Sequence, residues 1–339
     1  MRIGNLDSDR QVIVIAEIGN NHEGSFDVAC EMVDRAAEAG VDAVKFQTYK
    51  TETFVAPTQV ERYKRMQGFE LTEDQFAQLA ERAHGAGIKF ISTPLDMPSA
   101  VFLNGIVDAL KVASGDNTFY PLIEFVAGTD KPVIISTGFA GEPEIALAAS
   151  MVEKARSGRK SGPELALLHC VSAYPVEPQD ANLGAVHRLV RRFGEIATIG
   201  YSDHTLGTQA ATLSIAAGAR IIEKHFTLDR NYSDFRDHQL SADPGMMADL
   251  VKAIREAEVL MGSGDLAPRQ VERDSEVPVR RSIAAAREMK AGETVGPGDI
   301  MWIRPGEQIA PGREAEVLGR TLAKPVGAGV LFTKADFAA

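Results

Sequence analysis

Cysteine is scarce in this chain, with Cys30 and Cys170 alone among 339 residues and no CxxC pair. That argues against a disulfide framework. Both thiols are expected buried and free, which fits a reducing, cytoplasmic compartment. An excess of positive charge is also missing. Thirty-six Lys and Arg face 47 Asp and Glu, a net charge of −11. Nucleic acid is therefore excluded as the main partner, because phosphate backbones need a basic footprint. A small anionic substrate is not excluded, since a few local lysines can hold one. No apolar run approaches the roughly 20 residues of a membrane span, so no membrane partner is expected. The stretch from Met1 to Arg10 lacks the apolar core of a signal peptide. There is no GxGxxG after the first predicted strand. That counts against a doubly wound dinucleotide-binding sheet, the second-ranked fold.

What the chain does have is alternation. Short β-branched runs recur at 12–17, 43–47, 89–92, 109–112, 133–136, 165–169, 196–200 and 221–225. Helical patterns fall between them, for example at 26–39, 73–86, 143–155 and 246–261. Gly40, Gly87 and Gly218 stand where helices should stop. Eight βα units in about 250 residues predict an α/β fold of the (β/α)8 TIM-barrel type. The pattern changes after Met261, where Gly262-Ser-Gly-Asp-Leu-Ala-Pro268 reads as a connector. The expected organisation is a barrel over 1–262, a linker over 263–281 and a small β-rich module over 282–339.

Chemistry in a TIM barrel lies at the C-terminal ends of its strands. Here every predicted strand stops in polar residues. In order they are Glu17; Lys45 and Gln47; Ser92 and Thr93; Lys111 and Ser114; Ser136 and Thr137; His169 through Ser172 to Tyr174; Ser202-Asp-His204; and Glu223-Lys-His225. Any one hydroxyl could simply cap the next helix. All eight together read as a ligand-binding mouth. Lys45 and Lys111 sit inside strand-like runs, where an ammonium needs an anion. A salt bridge to Glu17 would satisfy that need. So would a bound phosphate or carboxylate shared with Thr93, Ser114, Ser136 and Ser202. A Schiff-base lysine is a third possibility. His204 and His225, on neighbouring strands, suit a divalent metal and leave positions open for water and a carbonyl. Glu17 could act as a general base or a further ligand. His22 is expected in a loop, and His84 and His187 on the surface.

The ordered motifs resemble one family across nearly the whole chain. They are Ala16-Glu-Ile-Gly-Asn-Asn-His-Glu-Gly24, Val44-Lys-Phe-Gln47, Phe90-Ile-Ser-Thr-Pro94, Leu110-Lys-Val-Ala-Ser-Gly115, Leu168-His-Cys-Val-Ser-Ala-Tyr-Pro175, Gly200-Tyr-Ser-Asp-His-Thr205, Glu223-Lys-His-Phe-Thr227 and, downstream, Trp302-Ile-Arg-Pro-Gly306. The family is that of the sialic acid (N-acetylneuraminate) synthases, whose barrel precedes an antifreeze-like SAF domain. The resemblance implies condensation of phosphoenolpyruvate with an N-acylated aldose to a nine-carbon 2-keto acid and phosphate. It implies manganese or magnesium on His204 and His225, and phosphoenolpyruvate on Lys45, Thr93, Lys111, Ser114, Ser136, Ser172 and Ser202. It implies sugar contacts from Gln47, Tyr174, Glu223 and Asp237, with Glu17 as the acid/base. It also implies that Arg304 reaches the N-acyl group across a domain-swapped homodimer.

The chain departs from the family pattern at Phe235-Arg236, where the family usually has Gly-Pro before Asp237-His238. It departs again in Arg304-Pro-Gly-Glu-Gln-Ile309, which lacks a further glycine. Both departures are expected near the sugar, so a legionaminic- or pseudaminic-type substrate stands beside N-acetylmannosamine. Two other functions compete. One is a pyruvate-dependent Schiff-base aldolase using Lys45 or Lys111. The other is a non-catalytic carbohydrate- or ice-binding protein.

Overall fold

The computed structural model describes residues 1–157 and 165–338. Eight parallel strands close into a barrel: β1 (Ile13–Gly19), β2 (Ala43–Thr48), β3 (Lys89–Pro94), β4 (Ala109–Val112), β5 (Val133–Ser136), β6 (Leu165–Cys170), β7 (Thr198–Asp203) and β8 (Ile221–His225). Each strand pairs with its neighbour in sequence, and β8 closes onto β1. Helices return the chain between strands, among them Phe26–Glu38, Glu73–Gly85, Glu142–Ala155 and Pro244–Met261. The TIM-barrel expectation holds. Its seventh strand lies two to three residues later than read from sequence, so Ser202 and Asp203 are strand residues.

The two-residue strand period divides the core. Val14, Ala16, Val44, Phe46, Leu110 and Ile222 face out and pack with the helices. Ile13, Ile15, Ala43, Ile91, Ala109, Ile134, Ala166, Leu168 and Ile221 fill the lower interior. The next inward position is polar on seven of the eight strands, with Cys170 the exception on β6. That alternation delivers Glu17, Lys45, Thr93, Lys111, Ser136, Ser202 and Glu223 to one level at the barrel's C-terminal end.

Gly200 is fixed by packing, because a Cβ there would lie 2.4 Å from both Leu168 Cδ2 and the Ile221 carbonyl oxygen. Larger residues would push the barrel wall apart.

The described residues form two compact units, the first Met1–Gly262 and the second beginning at Ser263. The second has a small apolar core around Ile283, Met289, Val317 and Phe332. Its antiparallel pair is β9 (Ser282–Ala285) with β10 (Ile300–Ile303). The stretch expected as a bare linker carries a helix at Arg273–Val279.

Candidate active site

The interior polar level is a network around one lysine. Lys45 Nζ lies 2.6 Å from Glu17 Oε2, 3.7 Å from Glu223 Oε2 and 3.3 Å from Thr93 Oγ1. Ser202 donates to Glu223 Oε1 at 2.8 Å, and Gln47 Nε2 donates to Glu17 Oε1 at 3.2 Å. The salt-bridge reading of Lys45 is therefore realised. Burial opposes the charge on Lys45, but Glu17 and Glu223 outweigh it and keep the ammonium protonated. Glu17 goes the other way: burial, with Glu223 nearby, pushes its carboxyl above the usual range despite Lys45. A carboxyl raised that way holds a proton more readily than a free one, which suits a proton-transfer group. The regular pairing of β1 with β2 ends at Glu17, where the register shifts before Gly19.

Lys111 differs. It is 2% exposed. Its Nζ donates to Ser136 Oγ at 2.7 Å and to the Val112 carbonyl at 2.9 Å. Among the described residues no carboxylate lies within ion-pair distance of it. Burial lowers its pKa accordingly. A buried ammonium with only neutral acceptors is a site prepared for an anion. Hydroxyls surround the adjacent loop. A Cβ on Gly138 would lie 2.3 Å from Ser172 Oγ and 2.6 Å from Ser114 Oγ. Glycine alone fits that cradle, and Ser172 Oγ is buried with no protein partner.

The two histidines meet beside this pocket. Their ring centroids are 5.2 Å apart. His204 Nδ1 donates to the Val171 carbonyl at 2.9 Å, which leaves Nε2 as a free acceptor. Burial disfavours the His204 cation, but Cys170 and that carbonyl outweigh it and shift the pKa upward. His225 is neutral: burial, with His204 and Lys45 nearby, holds its pKa well below the ordinary value. Its Nδ1 is buried without a partner. Two convergent imidazoles with free lone pairs fit a divalent cation. Among the described residues no cluster of three or more His, Cys, Asp or Glu could hold one, so the remaining positions would fall to water and substrate.

Tyr174 stacks on His204 at 4.3 Å, and the Arg236 guanidinium lies 4.8 Å above the Tyr174 ring. Asp237 opens the short helix Asp237–Leu240, largely buried, and its carboxyl is shifted upward by burial. These residues border a cleft of about 1010 Å³ that also receives Asn20, Gln47, His225, Phe69 and Phe235.

The structure thus brings together all the expected barrel residues. Arg304 lies on the second unit and is exposed. Asp203 and Lys224, although at strand ends, are structural: both are fully buried, and they pair with each other at 2.8 Å. His22 lies in a loop, as expected, where it is buried and its Nδ1 accepts the Gly24 N–H at 3.1 Å. His84 and His187 are exposed, as expected. Sequence reading missed Asn20 and the helix Val60–Phe69, which lines the cleft. That helix buries only Met66, so its pattern carries little apolar signal.

A buried lysine with neutral partners beside an imidazole pair, at the mouth of a (β/α)8 barrel, is an arrangement suited to enzyme chemistry on an anionic substrate. Comparison with known proteins makes the class specific. The NeuB family model matches residues 32–266 and the SAF domain model residues 280–338. The N,N′-diacetyllegionaminic acid synthase of Legionella pneumophila is 39% identical, over 95% of this chain and 93% of that one. The pseudaminic acid synthase of Campylobacter jejuni (strain 81-176) is 31% identical, over 99% and 100%. The crystal structure of the N-acetylneuraminic acid synthetase of Leptospira borgpetersenii, in complex with citrate, superposes with a TM-score of 0.75 at 36% identity. It covers 81% of this chain and 94% of that one. The chain belongs to the NeuB family of nonulosonic acid synthases and carries a C-terminal SAF domain. It is an enzyme, and the non-catalytic binding reading falls.

Proposed function

We propose that the protein condenses phosphoenolpyruvate with an N-acylated aldose of the legionaminic type, releasing phosphate and a nine-carbon 2-keto acid. The observation that carries this reading is Lys111, a buried ammonium whose partners are the Ser136 hydroxyl and the Val112 carbonyl, with no carboxylate within ion-pair distance among the described residues. Phosphoenolpyruvate would supply the missing negative charge, with Ser114, Ser136 and Ser172 on its oxygens and Lys45, Thr93 and Ser202 alongside. Gln47, Tyr174, Glu223 and Asp237 would hold the open-chain sugar.

The chemistry follows from that placement. The methylene carbon of phosphoenolpyruvate forms a bond to the aldehyde carbon, whose oxygen becomes a hydroxyl. The carbon bearing phosphate becomes an oxocarbenium. Water adds there, and the resulting hemiketal phosphate breaks its C–O bond to leave a ketone and inorganic phosphate. Glu17 would move a proton to or from that water. Lys111 would offset the phosphate charge with a cation already in place, and the neighbouring hydroxyls would add dipoles. When held by His204 and His225, manganese or magnesium would supply Lewis acidity to the aldehyde oxygen. Arg304 is assigned to the N-acyl group, from the partner subunit of a domain-swapped homodimer.

Lys111→Ala should raise the KM for phosphoenolpyruvate strongly, with a loss in kcat/KM of about 100-fold, the scale of an unpaired buried charge contact. Steady-state phosphate release at varied concentrations of each substrate checks this. An unchanged phosphoenolpyruvate KM would remove Lys111 from the anion site.

A further inference from the structure

The cleft beside the reacting groups has a mixed lining. Asn20, Gln47, Tyr174 and Asp237 supply it with hydrogen-bonding groups, and Phe54, Met66, Phe69 and Phe235 supply hydrocarbon. Phe69 and Phe235 meet edge to face, with ring centroids 5.4 Å apart and planes at 82°. Phe235 stands where the family resemblance expects a glycine, so the chain has added this ring.

Both rings are held by the same loop. Gly24, at φ +82°, lies so close to the end of helix Val60–Phe69 that a Cβ would be 2.1 Å from the Gly68 carbonyl oxygen. That contact fixes Phe69. On the other side Glu23 accepts hydrogen bonds from Ser233 Oγ and, at 2.9 Å, from His238 Nε2. Ser233 Oγ in turn accepts the Phe235 N–H at 3.0 Å. His238 is fully buried and its Nδ1 is 2.7 Å from Thr227 Oγ1. The aromatic pair is therefore preorganised rather than a chance exposure of apolar surface.

The rim charge decides what kind of sugar suits this cleft. Arg62, Arg65 and Arg236 are matched by Glu23, Glu61, Asp234 and Asp237. Arg62 lies over Phe54 at 5.4 Å, and Arg236 is spent on Tyr174 and on Asp237 at 3.3 Å. A phosphate dianion would find no net positive field there. An acetamido group fits better, because it offers a methyl to the rings and an amide to the hydrogen-bonding groups.

We infer that Phe69 and Phe235 are specificity-determining residues that take the methyl of a second acylamino group on an unphosphorylated sugar. The inference rests on the synthase reading and adds the substituent that selects the substrate. Removing one well-packed apolar contact changes discrimination by about tenfold or more.

The test measures phosphate release from phosphoenolpyruvate with manganese, using a diacetamido hexose, N-acetylmannosamine and N-acetylmannosamine 6-phosphate. Wild-type protein should favour the diacetamido sugar. Phe235→Ala and Phe69→Ala should each lower that preference about tenfold through the sugar KM, with the phosphoenolpyruvate KM within about twofold. Phe235→Leu, which keeps the volume, should fall between. An unmoved preference overturns the proposal. So does an equal loss on both unphosphorylated sugars, or a wild-type preference for the 6-phosphate. If wild-type protein releases phosphate with none of the three, the synthase reading fails, and this proposal with it.

Discussion

His225 shows how burial prepares a residue for coordination. A histidine in water titrates near neutrality, and a protonated imidazole cannot bind a metal. Here burial and neighbouring cations keep the ring neutral, and its Nδ1 finds no protein partner. His225→Ala should therefore lose both turnover and bound metal, read together by phosphate release and metal content after dialysis. Full activity in a metal-stripped sample of that variant would end the metal role. The lysines divide the anion work. Lys45 is neutralised by Glu17 and Glu223, whereas Lys111 waits for an external charge. Sequence could rank neither above the other, since both are single lysines in apolar runs. Only the barrel register shows which carboxylates sit opposite Lys45 and leave Lys111 without one.

At the level of elements, the strands were readable because two periods coincide. On six of the eight strands the inward positions run apolar and then polar, so both fold and site are written in one alternation. The connecting segments were less legible. The helix Val60–Phe69 forms one wall of the cleft yet has a mostly polar surface. Its place depends on a backbone contact, Gly24 against the Gly68 carbonyl, which no side-chain pattern records. Gly24→Ala would force a Cβ into that carbonyl and into a left-handed conformation. It should cost about 3 kcal/mol, from strain and clash together. Thermal unfolding of the purified variant checks this, and an unchanged Tm would show that the loop and the helix end can part without cost. Similarly, Ser202 and Asp203 share β7, but their side chains point to opposite faces. Strand period alone separates the inward Ser202, which bonds Glu223, from the outward Asp203 of the structural ion pair.

For the whole molecule, the open matter is how the second unit serves the first. Val259, Leu260 and Met261, at the end of the last barrel helix, are exposed, as are Leu266 and Val271 just beyond. Such a run of bare apolar side chains is costly in a free monomer and supports the proposed homodimer. The domain-swapped arrangement makes a specific prediction. Each site would combine one barrel with the partner subunit's Arg304. His225→Ala and Arg304→Ala subunits, each weak alone, should regain about a quarter of wild-type activity when co-refolded in equal amounts, because a mixed dimer holds one intact site. Simple averaging of the two weak activities would contradict the swap.

The central claim is that this barrel joins phosphoenolpyruvate to an acylamino aldose. The most direct measurement is phosphate release from phosphoenolpyruvate across N-acyl hexosamines, with manganese and with EDTA. We predict release that requires both substrates, is greatest with a diacetamido sugar and is lost with EDTA. Aldol product formed from pyruvate, indifferent to EDTA and accompanied by borohydride trapping on Lys45 or Lys111, would contradict it.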